Sequence, residues 1–376
     1  MAAAYAWHPG KGVDRPRWVR SVPMLPDEII SSWLVRAALA QGCDPMVLTG
    51  EIWPKWRIWT RDVDRFLDEN PLTRLVAPSG IPLSFFRETT LKKFAGQISG
   101  KILPAKAVWP WILALGARNT KRRSGLQYCP ACLRADSIPY FRLQWRFAWH
   151  AGCAQHHCIL LDRCPHCRAP LEPHRLRAED SLVAVCASCK GDLRNLDELT
   201  TCSDDALAFQ NAGDGAVRDG KNLFMAQRTE TDAWFAGSAF LISLLRRANR
   251  SNTEALHVFL GRIGVVIPEL PLDPGTGVEL LSASERQLLL DALWKLIKTD
   301  LADVSMHLEA SGITRQGFVS KGEQMPDLFS EIYAQLPDNA KSPRKPVIRD
   351  LSQPRSRHEV MRMWRRLQRK LEMQQR

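Results

Sequence analysis

Eight potential metal ligands are paired along the middle of this 376-residue sequence: Cys129 with Cys132, Cys153 with His156, Cys164 with Cys167, and Cys186 with Cys189. Each pair is separated by two residues. That spacing lets a tight knuckle turn aim both side chains at one ion, and two knuckles joined by a loop complete a tetrahedral zinc site. Twenty residues separate the first two pairs and eighteen separate the last two. Both gaps fit the zinc-ribbon range. The segment therefore reads as two consecutive zinc sites, one of three cysteines and a histidine, the other of four cysteines. A catalytic zinc keeps one position open for water, whereas each set here is complete. The expected cofactor is two structural Zn²⁺ ions per chain.

The fourth ligand of the first site has competitors. His157 follows His156 directly, Cys158 stands two residues on, and His150 lies three residues before Cys153. His156 has the knuckle spacing, and His157 stays as the alternative. Cys158 then reads as a buried free thiol. Cys43 and Cys202 lack close cysteine partners and read as core residues. His166 and His174 read as surface or supporting groups.

Other zinc chemistry does not match. A nucleobase deaminase needs His-x-Glu ahead of Pro-Cys-x-x-Cys, and here the prolines Pro130 and Pro165 fall inside the knuckles. There is no His-Glu-x-x-His, no phosphate loop and no Gly-x-Ser-x-Gly. No catalytic residue is assigned, and the chain reads as a non-enzyme.

The elements that must position these ligands are helical. A 45% hydrophobic and 24% charged composition is that of an ordinary folded protein. No stretch approaches the roughly 20 apolar residues of a membrane span. The N-terminus lacks a secretory pattern, which favours reduced thiols, metal binding and a cytoplasmic setting. Residues 1–23 look irregular. A first helix is expected from about Pro26 to Gly42, a second over Pro45–Leu48 and a third over Asp62–Glu69. These short helices are compatible with a helix-turn-helix-like bundle or a generic helical subdomain. The apolar run from Leu103 is expected to pack the N-terminal part against the zinc module. Trp53, Trp56 and Trp59 recur at intervals of three, and such rings most often fill a core. Later helices are expected over Asp232–Asn249, Thr253–Gly264 and Ser282–Leu301, the last opened by a Ser282/Glu285 capping box. The fold class is thus mainly α with a small tandem zinc-ribbon module. The expected divisions are 1–120, N-terminal helical; 121–198, tandem zinc module; 199–337, C-terminal helical; and 338–376, a Pro-containing linker and a basic amphipathic helix.

The formal charge is +12, unevenly spread: residues 101–150 carry +8 and residues 341–376 carry +9. Two basic zones on a near-neutral body suggest local contact with a polyanion. Lys121, Arg122 and Arg123 are candidates in the first zone. Arg362, Arg365, Arg366, Arg369 and Lys370 are candidates in the second, flanking an apolar stripe of Val360, Trp364, Leu367 and Leu371. These residues could meet nucleic acid or a partner protein.

Residues 22–195 resemble the TniQ family of transposon target-selection proteins. Leu25-Pro26-Asp27-Glu28, Ser32-Trp33-Leu34 and Arg36 carry the opening of the resemblance. Tyr128-Cys129-Pro130-Ala131-Cys132-Leu133, Trp145-Arg146, Cys153-Ala154-Gln155-His156, Leu160 to Cys167 and Cys186-Ala187-Ser188-Cys189 continue it. Family members often place a glycine or small spacer after the knuckle histidine, where this chain has His157-Cys158. The resemblance implies an adaptor that links target recognition to an AAA+ ATPase transposition regulator. Target recognition in the family is by an RNA-guided Cascade complex or by direct reading of DNA, commonly as a dimer. A stand-alone, sequence-specific zinc-containing DNA-binding protein is the competing reading. The resemblance also implies a bacterial, nucleoid-associated protein.

Overall fold

A computed structural model describes residues 18–104, 107–114, 125–196, 198–250, 254–267, 276–338 and 357–374. Lys121, Arg122, Arg123, most of the irregular N-terminal stretch and most of the Pro-containing linker lie outside them. The chain divides into two units, Met1–Pro337 and Asp338–Arg376.

The first unit begins with short helices: α1 (Ile30–Ala40), α2 (Pro45–Ile52), α3 (Val63–Phe66), α4 (Glu69–Ser79), α5 (Leu83–Glu88) and α6 (Lys92–Ser99). The ligand-rich segment holds α7 (Pro130–Ala135) and a two-residue antiparallel pair, β1 (Gly152–Cys153) and β2 (Cys158–Ile159). Then come α8 (Asp204–Asp219), an antiparallel hairpin of β3 (Lys221–Phe224) and β4 (Gln227–Glu230), and α9 (Thr231–Arg250). The unit closes with α10 (Glu254–Arg262), α11 (Ala283–Ile297), α12 (Leu301–Ala310), α13 (Arg315–Phe318) and α14 (Ser330–Gln335). The expected class, mainly α with two ribbon-like ligand clusters, is the one observed.

Helix α1 is apolar on nearly every side, and a helix of that kind must be buried all round. Ile30, Trp33, Leu34, Ala37 and Ala38 belong to a small N-terminal core with Val22, Trp53, Leu75 and Phe86. Ile29, Val35 and Leu39 belong to a much larger core that continues through the ligand-rich segment into α8, α9 and α11. The helix starts at Ile30, later than Pro26. Asp27 sits in the left-handed region at φ +53°, and Glu28 forms an isolated bridge with Arg142. Residues 27–29 are thus committed to a neighbouring strand-like segment, not to a helical turn: Leu143 N–H donates to Asp27 O at 2.7 Å and Ile29 N–H to Phe141 O at 3.1 Å.

The third expected helix, Asp62–Glu69, is two helices with an extended link at Leu67 and Asp68. Asp62 and Asp64 turn inward onto the guanidinium of Arg146, which also donates to Leu113 O at 3.0 Å. All three charged side chains are almost fully buried. Burial pushes the Asp64 carboxyl up to about 6, with Arg146 opposing and Asp62 adding to the shift. Trp53 is buried, and Trp59 stacks on His174 with centroids 5.1 Å apart, so these tryptophans pack.

Helix α9 spans the expected segment, α10 starts one residue past Thr253, and α11 ends four residues short of Leu301. The Ser282/Glu285 capping box forms: Ser282 N–H donates to the Glu285 carboxylate at 2.7 Å, and Glu285 N–H donates to Ser282 Oγ at 3.3 Å. The hairpin has no counterpart in the sequence reading. Its turn residues Met225 and Ala226 both have positive φ, +49° and +62°, where two-residue hairpins normally use Gly, Asn or Asp. Met225 is buried and its N–H donates to Ile297 O at 2.8 Å, so tertiary contact holds a turn that local chemistry disfavours. The second unit contributes one described helix, α15 (Arg357–Gln374).

Candidate metal centre

The eight ligand-type residues gather into two sets of four: Cys129, Cys132, Cys153 and His156, and Cys164, Cys167, Cys186 and Cys189. Within each set the donor atoms lie within 4.8 Å of one another.

In the first set, the knuckle carrying Cys129 and Cys132 opens a helix. Cys129 is the N-cap of α7, Pro130 occupies its first turn, and Cys132 N–H donates to Cys129 Sγ at 3.4 Å. The knuckle carrying Cys153 and His156 is the turn between β1 and β2. His156 Nδ1 lies 3.5 Å from Cys129 Sγ, 3.3 Å from Cys132 Sγ and 3.5 Å from Cys153 Sγ, and Cys132 and Cys153 Sγ are 3.5 Å apart. Zinc–sulfur and zinc–nitrogen bond lengths imply sulfur–sulfur edges of about 3.8 Å and sulfur–nitrogen edges of about 3.5 Å in a tetrahedron. The observed edges agree to a few tenths of an ångström. His157 points elsewhere: it is exposed and takes φ +49°. That is the position where a glycine would be unstrained. His150 is engaged with Asp214, Nε2 to Oδ1 2.7 Å.

In the second set, Cys164 and Cys189 Sγ are 3.7 Å apart, as are Cys167 and Cys186 Sγ. Cys164 and Cys186 are buried, while Cys167 and Cys189 face solvent. Gly191 N–H donates to Cys189 Sγ at 3.4 Å. His166 accepts no role as a ligand here; its Nε2 is 2.9 Å from Asp192 O.

The thiols of the first set lie close enough to shift one another's ionisation. Hydrogen bonding with Cys132 pulls the Cys129 thiol down to about 6, and hydrogen bonding with Cys129 holds Cys153 low as well. Hydrogen bonding with Cys129 pushes Cys132 and Cys158 far up. Thiols this close cannot all ionise without a positive charge among them. Both sets are therefore geometrically suited to hold a metal ion.

Residues 19–160 match the family model for TniQ. That segment is similar to the TniQ family. No curated protein matches the sequence. The match covers less than half of the chain.

The opening residues of the matched segment have a structural task that their types alone do not disclose. Glu28, fully buried, accepts from Ser32 Oγ at 2.9 Å and from Arg36 Nε at 2.7 Å. Ser32 Oγ in turn accepts from Phe141 N–H at 2.9 Å. Ser32 and Arg36 lie one turn apart on α1 and both reach back to Glu28, which precedes the helix, so that together they latch α1 to the segment that leads into β1. Arg146 does the same for Asp62 and Asp64. The i, i+4, i+8 spacing of Glu, Ser and Arg was the available signal for the first latch. Nothing local marked the second.

Among the polyanion candidates, Arg362, Arg365, Arg366, Arg369 and Lys370 all lie on α15, and Arg365 is exposed. The stripe residues Val360, Trp364, Leu367 and Leu371 are about half exposed, at 49–56%. No described helix is long and apolar enough to cross a membrane.

Proposed function

We propose that the protein is a non-catalytic target-selection adaptor in transposition. It links a target-recognition complex, either RNA-guided Cascade or the target DNA itself, to an AAA+ ATPase regulator. The TniQ match over residues 19–160 is the observation that carries this reading. The inward convergence of all eight donors supports the non-catalytic part, because each set is complete and offers no open position to a substrate. When bound, a Zn²⁺ ion at each set would fix the shape of the ribbon. Cys129, Cys132, Cys153 and His156 would hold one ion, and Cys164, Cys167, Cys186 and Cys189 the other. The adaptor would work as a homodimer in the bacterial cytoplasm, close to the nucleoid.

Co-purification with an AAA+ ATPase from the same genetic neighbourhood tests it. Stable recovery at physiological salt is expected, and recovery of none would remove the adaptor reading. A stand-alone DNA-binding protein is favoured by one observation, the exposed Arg365 on α15. That reading requires the isolated protein to protect specific bases in a footprint, with affinity that falls steeply with salt. Lys121, Arg122 and Arg123 would join α15 in such contacts.

A further inference from the structure

A further sulfur, that of Cys158, lies beside the four donors of the first cluster. Three of the knuckles share one backbone register. In each, the first ligand pairs with the residue five positions on: Cys153 with Cys158 across β1 and β2, Cys164 N–H with Ala169 O at 2.9 Å, and Cys186 N–H with Gly191 O at 2.9 Å. In each, the residue after the second ligand is left-handed: His157 at φ +49°, Arg168 at +61° and Lys190 at +62°. Cys158, Ala169 and Gly191 are therefore equivalent positions of one turn, and only the first carries a donor atom. At the second cluster a Cβ on Gly191 would come within 2.5 Å of the His166 ring, so the equivalent place there has no room for a thiol.

Cys158 is 1% exposed, and its Sγ lies 3.6 Å from Cys129 Sγ. That separation is close to the edge of about 3.8 Å expected for two sulfurs on one zinc ion. The donor set also has a weak member on its opposite count: His156 is only partly buried, whereas Cys129, Cys132 and Cys153 are buried. The ring that meets water is the ligand best placed to leave.

We propose that Cys158 is a fifth, exchangeable ligand of the first cluster, which takes over the metal when His156 departs. The exchange is a ligand substitution with no electron transfer. The metal–Nδ1 bond breaks, the Cys158 thiol loses its proton to the freed imidazole or to solvent, and a metal–sulfur bond forms. Three cysteines and a histidine become four cysteines. The proposal rests on the first cluster holding an ion, and its test separates the two ideas.

Zinc content and the visible spectrum of the cobalt-substituted full chain are measured for four proteins. The wild type and Cys158→Ser should each hold two ions, with the spectrum of one three-sulfur and one four-sulfur site. His156→Ala should also hold two ions, but with a spectrum shifted to two four-sulfur sites. The double variant His156→Ala/Cys158→Ser should hold one. A wild type lacking the first ion overturns the metal reading together with this proposal. A wild type with two ions and a folded His156→Ala with one overturns the proposal alone. A rate measurement covers the case in which His156→Ala does not fold. Cys158→Ser, a near-isosteric change, should release its first-cluster zinc to a chromogenic chelator about ten times faster than the wild type, the scale on which groups next to ligands act. An unchanged release rate overturns the proposal.

Discussion

The two ligand clusters repeat one turn, yet they stand in different surroundings. The first has its three cysteines buried, caps a helix with Cys129, and shares its core with Trp145, Trp149 and the C-terminal helices. The second alternates buried and exposed ligands: Cys164 and Cys186 join the same core, while Cys167 and Cys189 are in contact with water. Ligand chemistry is nearly the same in both, so the difference lies in what else depends on the ligands. An ion at the first cluster would be part of the free energy of folding for the whole unit. An ion at the second would act as a local staple.

The sharpest way to break this contrast is to remove one ligand from each cluster and compare. Cys129→Ala should cost on the order of 5 kcal/mol or more and lose cooperative folding of the unit, because ligand removal forfeits metal-binding energy. Chemical denaturation with metal analysis reads both effects; a variant that keeps its metal and its midpoint would erase the special standing of the first cluster. Next in size, Arg146→Met should cost about 3–5 kcal/mol, since it leaves the buried carboxylates of Asp62 and Asp64 without their partner. If its cost matched that of Cys129→Ala while both ions stayed bound, the buried ion pairs would rank equal to the metal in holding this region.

Cys167→Ala should be milder, about 1–3 kcal/mol, with one ion lost and the helical circular dichroism retained. In the wild type, a chelator added in excess should strip the solvent-facing second cluster first, giving two separated phases of zinc release; simultaneous release would mean that exposure does not distinguish the clusters. The smallest effect is backbone strain. His157→Gly should stabilise by roughly 0.5 kcal/mol, the remainder after the left-handed penalty of a non-glycine residue is offset by glycine's greater unfolded entropy. Thermal melts of His157→Gly and Lys190→Gly side by side would show whether the strain is equal in the two clusters.

Much of the metal centre was legible because knuckle spacing is a local property. Two residues between ligands fix where both side chains can point, and the pairing of the four knuckles follows from order along the chain. His156 was favoured over His157 on the same ground, and the geometry brings His156 to the cluster. Spacing leaves Cys158 a buried free thiol, because its closeness to Cys129 depends on the pairing of β1 with β2, which spacing does not state. Helix α11 was legible from its capping box and apolar stripe. The β3–β4 hairpin was not, because Met225-Ala226 carries none of the residues that favour positive φ and is held by contact with Ile297, 72 residues away in sequence. The start of α1 was misplaced for a related reason: Pro26-Asp27-Glu28 has the composition of a first helical turn, but Glu28 is drawn inward by Arg36 and Ser32.

Helix α1 lies in a party wall between two cores, and this bears on how the molecule can be divided. The family match ends at residue 160, one residue before Leu161, whose backbone exchanges hydrogen bonds with Tyr128 at 2.8 and 2.9 Å. A fragment cut there would keep all four donors of the first cluster. It would also strip from α1 its contacts with residues 173–180 and bare Trp111 and Trp149, which pack on Phe209 and Phe235, to water. Such a fragment would carry a large sticky surface, and sequence similarity alone is therefore a poor guide to where this chain can be trimmed for expression.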